Sequence, residues 1–105
     1  SHLSVVDLAG CEQVKQSGVA GLRLKEAVGI NSSLLVLGKV ISALSEGRAH
    51  VPYFETKLTR LLRSSFGGSS RTTCIVTASP DDEHAENTVQ ALRFGERCAT
   101  IVNSA

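Results

Sequence analysis

The sequence predicts an α/β fold, a central, mostly parallel sheet flanked by helices, on three observations. Two short runs, Leu3–Val6 and Arg71–Ala78, are apolar and β-branched enough for strands buried on both faces, the mark of interior positions in a parallel sheet. Between them lies a long helical stripe, and a second amphipathic helix follows the later run. Composition agrees: 42% of the 105 residues are apolar and 20% charged, which suits one small globular unit rather than a disordered or fibrous chain.

Taken in order, Leu3-Ser4-Val5-Val6 runs into Asp7-Leu8-Ala9-Gly10, so a buried strand would deliver a carboxylate to its C-terminal end and then turn. Residues 11–23 are polar, contain Gly18 and Gly21, and read as a loop. From Arg23 or Leu24 a helix is expected, because Ala27, Ile30, Leu34, Leu37, Ile41 and Leu44 recur at alternating steps of three and four. Val36, Val40 and Ala43 widen that stripe, which predicts packing on more than one side, and Gly47 supplies the stop. Residues 48–55, with Pro52, form a linker. Thr56 then caps a short helix with Leu58, Leu61 and Leu62 inward and Lys57, Arg60 and Arg63 outward, ended by Gly67-Gly68. In the second strand Cys74, Val76 and Ala78 share one face and Ile75 takes the other; Ser79-Pro80 ends it. Asp81, Asp82, Glu83 and Glu86 suit a helix N-terminus, and Val89, Leu92, Ala99 and Val102 mark the expected inward face of the last helix.

Several function classes fall away. Eleven Lys+Arg against ten Asp+Glu give a net charge of +1, which argues against a nucleic-acid module. No run approaches the ~20 apolar residues that span a bilayer, and no signal-peptide pattern opens the chain, so no membrane partner and a cytoplasmic location are expected. Cys11, Cys74 and Cys98 are widely spaced and expected to be reduced and packed, and His2, His50 and His84 are scattered; nothing orients a Cys11–His50 pair for nucleophilic catalysis. The absence of methionine predicts a piece of a longer product.

Val5-Val6-Asp7-Leu8-Ala9-Gly10 has the form of the second acidic motif of a nucleotidase: a strand-end carboxylate that holds magnesium through water, then a glycine whose N–H approaches a γ-phosphate. Alone it is weak, since strand-end turns of this composition are common. The phosphate-binding half is missing: Gly38-Lys39 sits within the helix stripe and is followed by Val40, so there is no GxxxxGK[ST]. The chain alone is therefore expected to bind neither ATP nor magnesium and to be inactive.

The assembled string is more specific. "VDLAGCE", "LKEAVGINSSLLVLGKVISALSEG", "HVPYFETKLTRLLRSSFGG", "RTTCIVTASP" and "ALRFGERCATIVN", in this order and spacing, closely resemble the C-terminal third of a kinesin motor domain, from about Leu3 to Asn103. The resemblance implies a fragment of a P-loop NTPase fold, residues 1–105, without its P-loop and switch I. Asp7 to Glu12 resembles switch II, with catalytic roles for Asp7, Gly10 and Glu12. Asp7 would reach magnesium through water, Gly10 would donate its N–H to the γ-phosphate of ATP, and Glu12 would pair with a switch I arginine outside this chain. Cys11 stands where kinesins usually have serine.

The following loop and long helix resemble the element kinesins press against tubulin, an acidic surface that long-ranged basic charge favours. Lys15, Arg48, His50, Lys57, Arg60 and Arg63 are the candidate microtubule contacts. Gln13, Gln16, Ser32 and Phe54 stand where kinesins commonly show basic residues, so a basic residue at Ser32 or Phe54 is expected to raise affinity. Thr100 to Asn103 resembles the start of the neck linker, of which only the first residues are expected here, with any neck, coiled coil or cargo region expected elsewhere in the longer product.

Two functions follow. The first is an ATP-hydrolysing microtubule motor of the cytoskeleton, to which this chain contributes switch II and the track-binding surface, with tubulin and the rest of the motor domain, which could be a second chain, as partners. The alternative is a non-motile kinesin homologue that binds microtubules or scaffolds without ATP turnover.

Overall fold

The computed structural model describes residues 1–9 and 22–104, with backbone alone for residues 22–31 and for His84. The long stripe folds as α1 (Leu22–Ser45), and its packing bears out the widened pattern. Val36, Leu37, Val40, Ile41 and Ala43 are all buried, while Leu34 and Leu44 are half-buried. The helix stops where glycine allows the left-handed turn: Gly47 has φ 68°, its N–H donates to the Leu44 carbonyl, and the Arg48 N–H reaches back to Ala43 at 2.9 Å.

The linker tightens into a 3₁₀ turn at Tyr53–Glu55 before α2 (Lys57–Leu61). Thr56 caps α2 as expected, its Oγ1 accepting from the Thr59 N–H at 3.1 Å. Thr59 is buried, and its hydroxyl is satisfied by donating to the Tyr53 carbonyl at 2.6 Å. Tyr53 in turn donates its hydroxyl to the Phe66 carbonyl at 2.6 Å, which ties the linker to the turn after α2. Gly67 closes that turn with φ 82°.

A 3₁₀ turn, Asp82–His84, leads into α3 (Ala85–Ala99), and the Thr88 hydroxyl donates to the Ser79 carbonyl to hold the entry. Both α2 and α3 pack on α1. Leu37 and Ile41 of α1 meet Leu62 and Phe66 at the centre, with Leu8, Leu44, Leu58, Phe94, Cys98 and Ile101 around them.

Four expectations are corrected, two of them at single residues: Leu61, expected inward on α2, is 78% exposed, and Cys74, expected to be packed, is exposed. Among the described residues no strand forms, and the two strand-like runs are open: Leu3 and Val5 are 87% and 89% exposed and Ile75 is 85% exposed. The reason is in the backbone: an interior strand needs ladder partners on both edges, and these two runs do not pair with each other. The inward face of α3 is also not the one expected. Phe94, Cys98 and Ile101 pack on the core, whereas Val89, Leu92 and Val102 remain largely exposed. α3 carries two apolar stripes, and α1 covers one of them. The other borders a cavity of about 560 Å³ in which Leu92, Gly95 and Ala99 face Phe66, Cys74 and Val76.

Past α3 the chain returns to the turn after α2. The Asn103 carboxamide accepts from the Gly67 N–H at 2.7 Å and donates to the Ser65 and Ser70 carbonyls at 2.7 and 2.9 Å. Beside it the Ser104 N–H donates to the Gly68 carbonyl at 2.9 Å.

Candidate functional site

Two regions carry candidate residues. At the first, Asp7 is exposed, and the next residue, Leu8, packs against the central cluster, so Asp7 sits at the edge of the core beside an anchored apolar neighbour. Gly10, Glu12 and Lys15, with Cys11, Gln13 and Gln16, lie outside the described residues. The described residues hold no group of three or more His, Cys, Asp or Glu that could bind a metal directly. A single exposed carboxylate fits an outer-sphere contact to a hydrated magnesium ion, which keeps several of its waters, and does not fit a complete cage.

The second region is built on the α2 cap. Lys57, Arg60 and Arg63 are exposed, as predicted. The structure unites two of them: Arg60 Cζ lies 5.9 Å and Arg63 Cζ 5.1 Å from the centre of the Phe54 ring, and Arg63 also lies 5.7 Å from the Tyr53 ring. Arg60 Nε and Nη2 donate to the Phe54 carbonyl at 3.3 and 3.0 Å. Burial pushes the Tyr53 phenol above its usual pKa, and the Arg63 charge opposes that only in part.

Arg48 and His50 lie elsewhere on the surface, along a groove of about 620 Å³ that also takes in Lys39 and Arg97. Arg48 is paired with Glu46 at 2.6 Å, both side chains more than half exposed, so its charge is partly answered locally. Ser32 is exposed on α1.

Sequence reasoning missed three things. Lys39 and Arg97 carry no signal that marks them out, one within the stripe helix and the other near a helix end, yet both border the groove beside His50. The Tyr53 and Phe54 rings as mounts for the arginines had a faint signal, aromatics six to ten residues before a basic residue across a capped turn. The Asn103 network had none, because it joins residues more than thirty positions apart.

Likeness to a solved motor structure, more than any local feature, gives the fold as a portion of a P-loop NTPase-type motor. The chain matches the family model described as the kinesin motor domain over residues 1–101, and it belongs to that family. Similar relatives include the kinesin-like protein KIN-UC of Arabidopsis thaliana, 50% identical over 98% of this chain and 10% of that protein. Another is the kinesin-like protein 3 of Schizosaccharomyces pombe, 51% identical over 99% of this chain and 19% of the relative. A kinesin heavy chain of Botryotinia fuckeliana is 50% identical over 99% of this chain and 12% of its own length. Among solved structures, a KIF14 dimer in a two-heads-bound state with AMP-PNP, in complex with a microtubule, matches with a TM-score of 0.89 and 50% identity, over 94% of this chain and 28% of that one. The chain thus spans between about a tenth and a fifth of these curated relatives. No helix among the described residues is long and apolar enough to cross a membrane.

Proposed function

We propose that residues 1–105 are the C-terminal part of a kinesin-like motor domain, in a protein that couples ATP hydrolysis to movement on, or remodelling of, microtubules. The observation that carries this reading is the match to a motor bound to both AMP-PNP and a microtubule at a TM-score of 0.89 and 50% identity, which runs over 94% of this chain. The central parallel sheet is completed by residues outside the chain, and the exposed runs around Val5 and Ile75 are the strands it takes in.

In this reading Asp7 orients the water shell of magnesium, Gly10 offers its backbone N–H toward the terminal phosphate, and Glu12 pairs with an arginine elsewhere in the motor. Magnesium, when bound with ATP, neutralises phosphate charge. The chain's own groups contribute position: a backbone donor at Gly10 and the carboxylates of Asp7 and Glu12. The basic residues Lys15, Arg48, His50, Lys57, Arg60 and Arg63 face the acidic track, drawing it in by long-ranged attraction that salt weakens. The chain by itself has no phosphate loop and neither binds nor turns over ATP.

The test uses the full-length protein. Gly10→Ala and Glu12→Ala should each reduce microtubule-stimulated ATP turnover by orders of magnitude while leaving the fold intact. Retention of half or more of the normal rate by either variant would show that these roles do not transfer.

A further inference from the structure

Judged by charge alone, Phe54 is a loss, an apolar ring where a cation is expected. The structure shows what the ring provides. Phe54 is 60% exposed, yet its two ends engage both neighbouring arginines. Its carbonyl accepts the Nε and Nη2 donors of Arg60, and its ring faces the guanidinium groups of Arg60 and Arg63 at 5.9 and 5.1 Å. The Arg63 guanidinium also lies over the Tyr53 ring, at 5.7 Å from its centre. The mount itself is firm, because the Tyr53 hydroxyl is anchored to Phe66 and the Tyr53 carbonyl receives the buried Thr59 hydroxyl.

We propose that Phe54 is a positioning residue for partner recognition: its ring and carbonyl hold the guanidinium forks of Arg60 and Arg63 in place to receive carboxylates of an acidic protein surface. This rests on the reading of the α2 face as the microtubule contact. The physical basis is entropic. An arginine on an open surface samples many rotamers, and fixing it on binding weakens the complex; a guanidinium already stacked on an aromatic face has given up most of that freedom beforehand. A planar fork so held matches carboxylate geometry in a way a third mobile cation would not. A cation at this position would also crowd the other two, so the net effect of Phe54→Arg is not the simple gain that charge counting suggests.

Co-sedimentation of the full-length protein with taxol-stabilised microtubules across a salt series tests this. Phe54→Leu, which keeps the charge, should weaken binding about fivefold with an unchanged salt slope. Phe54→Tyr and Phe54→Trp should restore wild-type affinity, and Phe54→Arg should steepen the slope without exceeding wild type near physiological salt. Arg60→Ala with Arg63→Ala should weaken binding and flatten the slope. If the double arginine variant binds normally, the α2 face is not the contact and the underlying reading falls. If that variant is weakened but Phe54→Leu equals wild type, or Tyr and Trp fail to rescue, the positioning role alone is overturned.

Discussion

Replacing Asn103 by alanine probes how the end of α3 is tied to the turn after α2. The side chain makes three bonds of 2.9 Å or less, accepting from the Gly67 N–H and donating to the Ser65 and Ser70 carbonyls, and a fourth at 3.3 Å to the Thr72 hydroxyl. A net contribution of about 0.5–1.5 kcal/mol per bond would give roughly 1.5–4.5 kcal/mol for the three short ones. Asn103 is half-buried, so water replaces part of what is lost, and Ser65 keeps its bond from Thr72 at 2.7 Å. We therefore expect a loss near the lower end, about 2 kcal/mol. Asn103→Asp should be at least as damaging, since a carboxylate cannot donate to Ser65 and Ser70 and meets their carbonyl oxygens. Denaturant melts of the full-length protein give the size of the effect, and peptide-level hydrogen exchange gives its place, with protection of the Gly67 and Ser104 amides falling in both variants. If Asn103→Ala changed stability by less than about 0.5 kcal/mol, or Asn103→Asp matched wild type, the network would not be the tie described.

Gly67→Ala should cost about 2–4 kcal/mol, combining a φ of 82° with a new Cβ only 2.6 Å from Leu44 Cδ2 and 2.7 Å from the Tyr53 hydroxyl; thermal melting reads it, and a neutral result would mean the turn is not as described. Cys98 is pushed up to about 12, by burial first and by Cys74 beside it. Its stabilising contribution as a neutral thiol is present below the normal thiol pKa and is lost as pH rises toward 12. At pH 9 its thiolate is scarce, so mass-spectrometric mapping of iodoacetamide labelling should find the half-buried Cys98 nearly inert while exposed Cys74 reacts. Tyr53→Phe should cost about 1 kcal/mol at neutral pH by removing the bond to Phe66. Because the Tyr53 phenol is raised, wild type should lose this advantage only as pH climbs above its unfolded value near 10 and through the folded one, whereas the Phe variant should show no such step.

Much of the helical frame was legible in the residues themselves. The alternating steps from Leu34 to Leu44 describe one helix face, and the buried Leu37 and Ile41 lie on it. Gly47 and Thr56 act through local backbone chemistry, a left-handed turn and an N-cap bond, which needs no distant partner. The runs at Leu3–Val6 and Arg71–Ala78 have strand composition without strand pairing, because ladder bonds belong to neighbours and not to a segment. The choice between Leu92 and Phe94 as the inward residue of α3 depended on where α1 lies, which the pattern of α3 does not contain. At the site, exposure of Lys57, Arg60 and Arg63 followed from one helix period. The role of Phe54 did not, since substitution arithmetic counts its missing charge and overlooks its ring.

Membership of a working ATP-driven microtubule motor, as proposed, is tested most directly by steady-state ATP turnover of the full-length protein, with and without microtubules. Microtubules should stimulate this turnover, and Asp7→Ala should abolish it without loss of the folded state. Tight microtubule binding with no ATP turnover at any microtubule concentration would contradict the proposal and would identify the protein as a kinesin homologue that binds its track without cycling nucleotide.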